Sequence, residues 1–250
     1  MRAEDLLWQD ECARHGTDAA PAAGISLGDK EEGVLRRHLN VIVPVSFACV
    51  GDAVTAASYP TVRSITAAHL EKYRSPEALF SDASFASLDT ALRPYLASWG
   101  YAPAKFPARY GVSLAADRTS VIPADAVIDG TVQLTDRLCG AKNHTSMKLS
   151  DCAARGAFVH MADGEIVCIA SVNGVAGGGR CVEIGVECAP AYRRRGYARS
   201  CVCALTGMLL SRGDVVLYRH YSTNTGSAAV ARTSGFRPIG RFFSYTSFAI

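Results

Sequence analysis

The stretch from 181 to 213, CVEIGVECAPAYRRRGYARSCVCALTGMLLSRG, constrains the fold more than any other part of the chain. Residues 181–188 form a short apolar run that stops at Pro190, which has no N–H to offer a strand ladder. Beyond the arginines, Ala198, Cys201, Val202, Leu205, Met208 and Leu209 recur at helical spacing as one apolar stripe, closed by Arg212-Gly213. A strand that feeds a helix through so tight a loop leaves the first helical N–H groups unpaired and facing outward, which is a ready anion site. Gly196 lets the backbone approach a ligand without a Cβ in the way, and Ala198 keeps the first turn uncrowded. Arg193, Arg194 and Arg195 add positive charge where the helix dipole is already positive, an unfavourable arrangement unless an anion lies there. A bare arginine run is ordinarily a solvated face. Strand, proline, Arg-x-x-Gly-x-Ala and amphipathic helix in one register favour the phosphate reading instead.

The flanking sequence extends the pattern. FVHMADGEIVCIASVNG alternates around Asp163-Gly164, the dipeptide that most favours a tight hairpin, and predicts antiparallel strands at 157–161 and 165–172. The glycines of NGVAGGGR, 173–180, read as a flexible hairpin tip, since no helix opens directly after them. VVLYRHY at 215–221 predicts a strand, TGSAAVARTSG at 225–235 a short helix ended by Gly235, and PIGRFFSYTSF a last strand. The order strand, strand, strand, helix, strand, helix, strand describes a mixed sheet crossed by helices.

The first 120 residues are less legible. TVRSITAAHLEKYRSPEALF and SFASLDTALRPYLASWGY have helical spacing; in the second, Leu88, Leu92 and Leu96 recur every fourth position, Gly100 marks a stop and Pro94 a kink. YAPAKFPARYG reads as a connector, with a domain boundary between 115 and 130. The expected class is α/β (α+β): a mixed, mostly antiparallel central sheet flanked by helices over 125–250, preceded by a mainly helical N-terminal region, 1–120.

Composition narrows the function. Of the 250 residues 49% are hydrophobic and 20% charged, enough apolar matter for a packed core. A net charge of +3 is too small for a dedicated nucleic-acid binder, although a local anion site is allowed. Nine cysteines without Cys-x-x-Cys spacing argue against a metal site and against a disulfide framework; Cys168, Cys181, Cys188 and Cys201 lie in apolar runs as small hydrophobes. These features point to a reducing, cytoplasmic setting. The acidic start MRAEDLLWQDECARHG lacks the form of a signal peptide, and VIVPVSFACV at 41–50, interrupted by Pro44, is too short to span a bilayer.

RRRGYA resembles the Gln/Arg-x-x-Gly-x-Gly/Ala signature of the GNAT superfamily of acyl-CoA-dependent N-acyltransferases, and NTGSAAVARTSGF, with Asn224, Ser227, Gly235 and Phe236, is similar to that family's later Asn-x-x-Ser, helix, Gly-Phe motif. The resemblance covers roughly residues 125–250. It implies acetyl-CoA as cosubstrate, no metal, and a primary amine on a small molecule or peptide as acceptor. The implied cofactor contacts are backbone groups at Val186 and Cys188, the loop Arg193, Arg194, Arg195, Gly196, Tyr197 and Ala198, and the side chains of Asn224 and Ser227.

For the chemistry, the resemblance places Glu183 where some members carry a general base, and a carboxylate on an apolar strand suits that task. Glu187 lies on the same face of a regular strand, and a bulge at the splay would turn one of the two away. Either could equally be an edge carboxylate paired with Arg180 or Arg193. Many members use a tyrosine in the later helix as general acid; the matching position here is Ala231, leaving Tyr221 and Tyr218 as substitutes. Asn224 is read as a cofactor contact or a helix cap. His144 and His160 link to no nucleophile. The competing functions are a non-catalytic acyl-CoA sensor or scaffold, which the missing tyrosine suggests, and a nucleic-acid binder, which the modest charge opposes. The N-terminal residues are read as an acceptor-site wall, a homodimer contact or a degenerate second copy, the last without support from any internal repeat.

Overall fold

The computed structural model describes residues 2–17, 24–30, 41–103, 110–176 and 181–249. They form helices α1 (Ala3–His15), α2 (Arg63–Lys72), α3 (Pro76–Leu79), α4 (Asp82–Ser98), α5 (Leu149–Arg155), α6 (Tyr197–Ser211) and α7 (Thr225–Thr233). The strands are β1 (Gly24–Asp29), β2 (Val41–Val50), β3 (Ala53–Ser58), β4 (Tyr101–Pro103), β5 (Gly111–Ala116), β6 (Thr131–Gln133), β7 (Ala157–Ala162), β8 (Glu165–Ala176), β9 (Cys181–Cys188), β10 (Val215–Tyr221) and β11 (Arg237–Ala249). The fold is the expected mixed α/β class. The chain separates into two compact units, one of residues 1–6, 113–220 and 224–238, the other of residues 7–112, 221–223 and 239–250. The final strand therefore groups, from Ile239, with N-terminal residues, where the sequence pattern suggests one cut between 115 and 130.

In the first unit the strand order is β5-β10-β9-β8-β7-β6. β6, β7, β8 and β9 are successively antiparallel, and β10 joins β9 in parallel after the α6 crossover. The hairpin forms where the Asp-Gly pair places it: Asp163 at φ 52 and Gly164 at φ 79 are the two left-handed residues that a type I′ turn requires. α6 lays Cys201, Val202 and Leu205, all fully buried, toward the sheet. A smaller cluster of Leu149, Cys152, Val159, Ile166 and Ile169 seals α5 against the hairpin.

The second unit orders β1-β3-β2-β11, with β4 pairing β11. The helices expected here are present, and Leu88, Leu92 and Leu96 of α4 are buried in one cluster with Phe47, Phe85 and Phe243. Phe47 stacks on Phe243 at 4.6 Å between ring centroids. α4 continues through Pro94 to Ser98, and Gly100 follows at φ 76. The strands β1, β2 and β3 add a sheet to the helical region. VIVPVSFACV is β2, with all residues but Val50 buried. Among the described residues no helix is long and apolar enough to cross a membrane. The tip of the glycine loop at 177–180 and the middle of the 101–111 connector lie outside the described residues.

Candidate active site

β9 is paired unequally on its two edges. Its ladder with β8 continues to Cys168↔Cys188, whereas its parallel ladder with β10 covers Cys181↔Val215 to Ile184↔Tyr218 and ends there. The strands then part. The Ala189 N–H donates to the Val167 carbonyl at 2.9 Å, so residues 185, 187 and 189 turn their backbone groups toward β8. Val186 and Cys188 turn theirs to the other edge, where the described residues place no strand. Arg193 Nε donates to the Cys188 carbonyl at 3.1 Å, which leaves the N–H and C=O of Val186 facing the gap. An extended chain bearing amide groups fits such an edge.

At the end of β9 a single 3-10 turn, Pro190–Tyr192, leads to the arginines and to α6. Gly196 is the N-cap of α6 at φ 86, ψ −8, with no side-chain cap and no acidic residue in the first turn. Its glycine is required by conformation and not by crowding. The left-handed conformation disfavours other residues, and a Cβ there would occupy space in which no atom lies within 4 Å. Ser200 N–H is bonded to the Gly196 carbonyl, so the N–H groups of Tyr197, Ala198 and Arg199 belong to the helix start that no earlier carbonyl serves. By contrast α7 is capped in the ordinary way, its Ser227 N–H bonded to Asn224 Oδ1 at 3.0 Å. The arginines are exposed. Arg195 reaches the Ala191 carbonyl and lies over the Tyr192 ring, and Arg194 stands at φ 61. None of the three pairs with a carboxylate among the described residues. The uncapped turn, the space at Gly196 and the cationic rim fit a diphosphate.

The start of α6 is fixed from behind by residues that the sequence reading did not single out as partners. The His160 ring stacks on Tyr197 at 3.8 Å and 19°, its Nδ1 lies 2.9 Å from Thr131 Oγ1, and Thr131 Oγ1 lies 2.7 Å from Ser200 Oγ. Ser200 Oγ also accepts from the Ile128 N–H. Burial holds His160 below the ordinary histidine range, so the imidazole is neutral near pH 7. Nothing in the spacing of 128, 131, 160, 197 and 200 reveals this contact, because it is made across strands.

The carboxylates are placed differently from each other. Glu183 lies 3.7 Å from Arg219 Nε, on the first residue of β10 beyond the last shared rung. It therefore has a guanidinium neighbour rather than purely apolar surroundings. Glu187 is held at both oxygens by Ser146, from the backbone N–H at 2.9 Å and from Oγ at 2.7 Å, and not by the arginines. The Ser146 loop is shaped by Asn143, whose Oδ1 accepts from Thr145 N–H and Oγ1 and whose Nδ2 donates to the Met147 carbonyl. The irregularity expected in β9 lies instead in β8, between Val172 and Gly174, and the Asn173 side chain fills the space that a Cβ on Gly185 would need. Glu183 and Glu187 thus keep a common face, with Gly185 between them.

Of the tyrosines, Tyr221 is about half exposed and groups with the second unit, its ring 6.1 Å from Phe242. Tyr218 is buried at the last rung before the strands part, with its hydroxyl 2.8 Å from Ser227 Oγ. Burial raises its phenol above the usual range. Asn224 and Ser227 are thus engaged in the α7 cap and the Tyr218 contact, and Ala231 is fully buried. Among the described residues no group of three or more His, Cys, Asp or Glu could hold a metal.

Residues 126–237 match the family model described as an acetyltransferase (GNAT) domain. That stretch, somewhat less than half of the chain, is similar to an acyltransferase domain whose fold implies an acyl-CoA cosubstrate. Among solved structures the chain is similar to a GNAT-family chain from Novosphingobium aromaticivorans, at 17% identity over 60% of this chain and 68% of that one, TM-score 0.48. It is also similar to a GNAT-family acetyltransferase from Colwellia psychrerythraea, at 13% identity over 58% and 57%, TM-score 0.45. A GCN5-related N-acetyltransferase from Sphaerobacter thermophilus aligns at 17% identity over 80% of this chain and 76% of that one, TM-score 0.44. No curated protein matches the chain.

Proposed function

We propose that the protein transfers an acetyl group from acetyl-CoA to a primary amine, on a small molecule or a peptide, by direct attack within a ternary complex. The observation that carries this reading is the parting of β9 and β10 beside the uncapped start of α6. The N–H groups of Tyr197, Ala198 and Arg199, with Arg193, Arg194 and Arg195 around them, bind the diphosphate of the donor. The Val186 edge pairs with the amide-bearing arm, and a β9 N–H directed into the gap stabilises the oxyanion as the amine adds to the thioester carbonyl. Glu183 takes the ammonium proton, directly or through a water, with Arg219 setting its orientation. Tyr218, backed by Ser227, replaces Tyr221 as the candidate donor to the departing thiolate, because it stands at the apex of the gap. Glu187 holds the Ser146 loop in place and is not the base in this reading.

The test is thiol release from acetyl-CoA across a panel of amines, amino acids, polyamines, aminoglycosides and peptide N-termini, repeated with Glu183→Gln. An enzyme loses turnover by roughly a hundredfold or more on losing its base while retaining donor affinity. A second reading, an acyl-CoA sensor, is favoured by Ala231 at the tyrosine position and by the engagement of Glu187. It predicts donor uptake with no thiol release for any amine, and no change with Glu183→Gln.

A further inference from the structure

Three thiols converge where β9 ends. Cys168 of β8 and Cys188 of β9 are directly opposite each other in the ladder. The Cys168 thiol lies near enough to Cys188, and to Cys201 of α6, for each to influence its proton affinity. Cys168 and Cys201 are fully buried, whereas Cys188 is partly exposed. The next rung, Val167 with Ala189, carries a backbone hydrogen bond of 2.9 Å. Hydrogen-bonded and non-bonded rungs alternate in an antiparallel pair, so Cys168/Cys188 is a non-bonded rung. At such rungs the Cα atoms stand about 4.5 Å apart and the side chains are closest. That separation is at the short end of the range a disulfide spans, so a bridge can form with a small adjustment of the two strands. Cys201 approaches across the helix–sheet packing and has no ladder to fix its distance.

We propose that Cys168 and Cys188 are an oxidation site that forms a reversible disulfide on contact with a peroxide, and that the bridge weakens donor binding at the adjoining loop. The second half rests on the function proposed above; the first does not. Arg193 and Arg195 favour a Cys188 thiolate, but the contact with Cys168 and burial outweigh them and raise the thiol above its usual range, so the resting pair is a dithiol. Cys188, the more accessible of the two, first gives its proton to water, and the thiolate so formed attacks the peroxide. The O–O bond breaks, giving a sulfenic acid at Cys188 and one water. The Cys168 sulfur then displaces hydroxide from that sulfenic acid, the S–S bond forms, and the thiol proton leaves with the hydroxide as a second water. Two electrons pass from two thiols to one peroxide. Because the Cys188 carbonyl anchors Arg193, the shift of Cys188 on closing the bridge loosens a cation of the diphosphate loop.

Peroxide-treated and untreated chain are compared by intact mass and by non-reducing peptide mapping, with fragmentation to separate Cys188 from Cys181, which shares its tryptic peptide. The expected product lacks two hydrogens, links Cys168 to Cys188, and reverts with a dithiol reductant. Its Kd for coenzyme A by calorimetry rises about tenfold, equivalent to roughly 1.4 kcal/mol. Cys168→Ala removes both the link and the peroxide effect on coenzyme A uptake. A Cys168–Cys201 link, a sulfinic or sulfonic acid at Cys188, or no reaction overturns the site. A Cys168–Cys188 link with unchanged affinity overturns the regulatory half. If the Cys168→Ala chain does not fold, the map of the unaltered chain still decides the site. An untreated chain that takes up no coenzyme A sinks the proposed function and leaves the mapped bridge standing.

Discussion

At position 196 backbone conformation and empty space coincide, and at 194 an arginine adopts a left-handed φ. A Cβ at 196 would meet no atom within 4 Å, so the penalty of a β-branched residue is conformational and falls on the turn that presents the three N–H groups. Gly196→Val is therefore expected to reduce coenzyme A affinity about five- to thirtyfold, since the left-handed conformation costs a branched residue about 1–2 kcal/mol. Calorimetry reads the affinity, and an unchanged far-ultraviolet spectrum confirms that the loss is local. Gly196, with Ala198 two residues on, is legible in the sequence as an uncrowded turn, and no atom lies within 4 Å of where a Cβ at 196 would stand. The roles of the glutamates were not visible, because Ser146 is 41 residues from Glu187 in the chain and meets it only after the sheet forms.

At the level of elements, α6 and α7 open in opposite ways. Asn224 caps α7, so Asn224→Ala should lower stability by about 1 kcal/mol in a denaturant titration. If instead Asn224 acts mainly on the donor, the midpoint will not move and only coenzyme A affinity will fall. The hairpin, β9, α6, β10 and α7 could be read directly because each is announced by local chemistry: Asp-Gly, an alternating run, a glycine start, a glycine stop. β1, β2 and β3 could not. An apolar run such as 41–50 reads equally as buried strand or helix, and a proline within it, as at Pro44, speaks against a central strand. Its partners, β3 and β11, are what make it a strand, and β11 lies about two hundred residues away.

For the molecule as a whole, buried neutral histidines tie stability to pH. His69 is buried in the second unit with Nε2 2.8 Å from Ser84 Oγ, and burial, reinforced by Lys72, lowers its pKa to about 4. The unfolded chain binds a proton at this residue below about pH 6.5, and the folded chain does not until about pH 4. Stability is therefore complete above about pH 6.5 and declines as pH falls toward 4, with a slope of up to about 1.4 kcal/mol per pH unit. His160 acts in the same direction in the other unit. Chemical denaturation at pH 7.5 and pH 5 measures the difference, and His69→Gln should flatten it.

The grouping of residues 239–250 with the N-terminal half has a temporal consequence. β11 supplies the edge that β2 pairs with, and it brings Phe243 and Tyr245 into the aromatic cluster around Phe47. During synthesis the earliest-made half must therefore wait, with one sheet margin unpaired and its interior missing two rings, while the entire acyltransferase segment emerges from the ribosome. A nascent chain stalled before residue 239 exposes that margin to other chains, and holdase chaperones should bind it there most strongly.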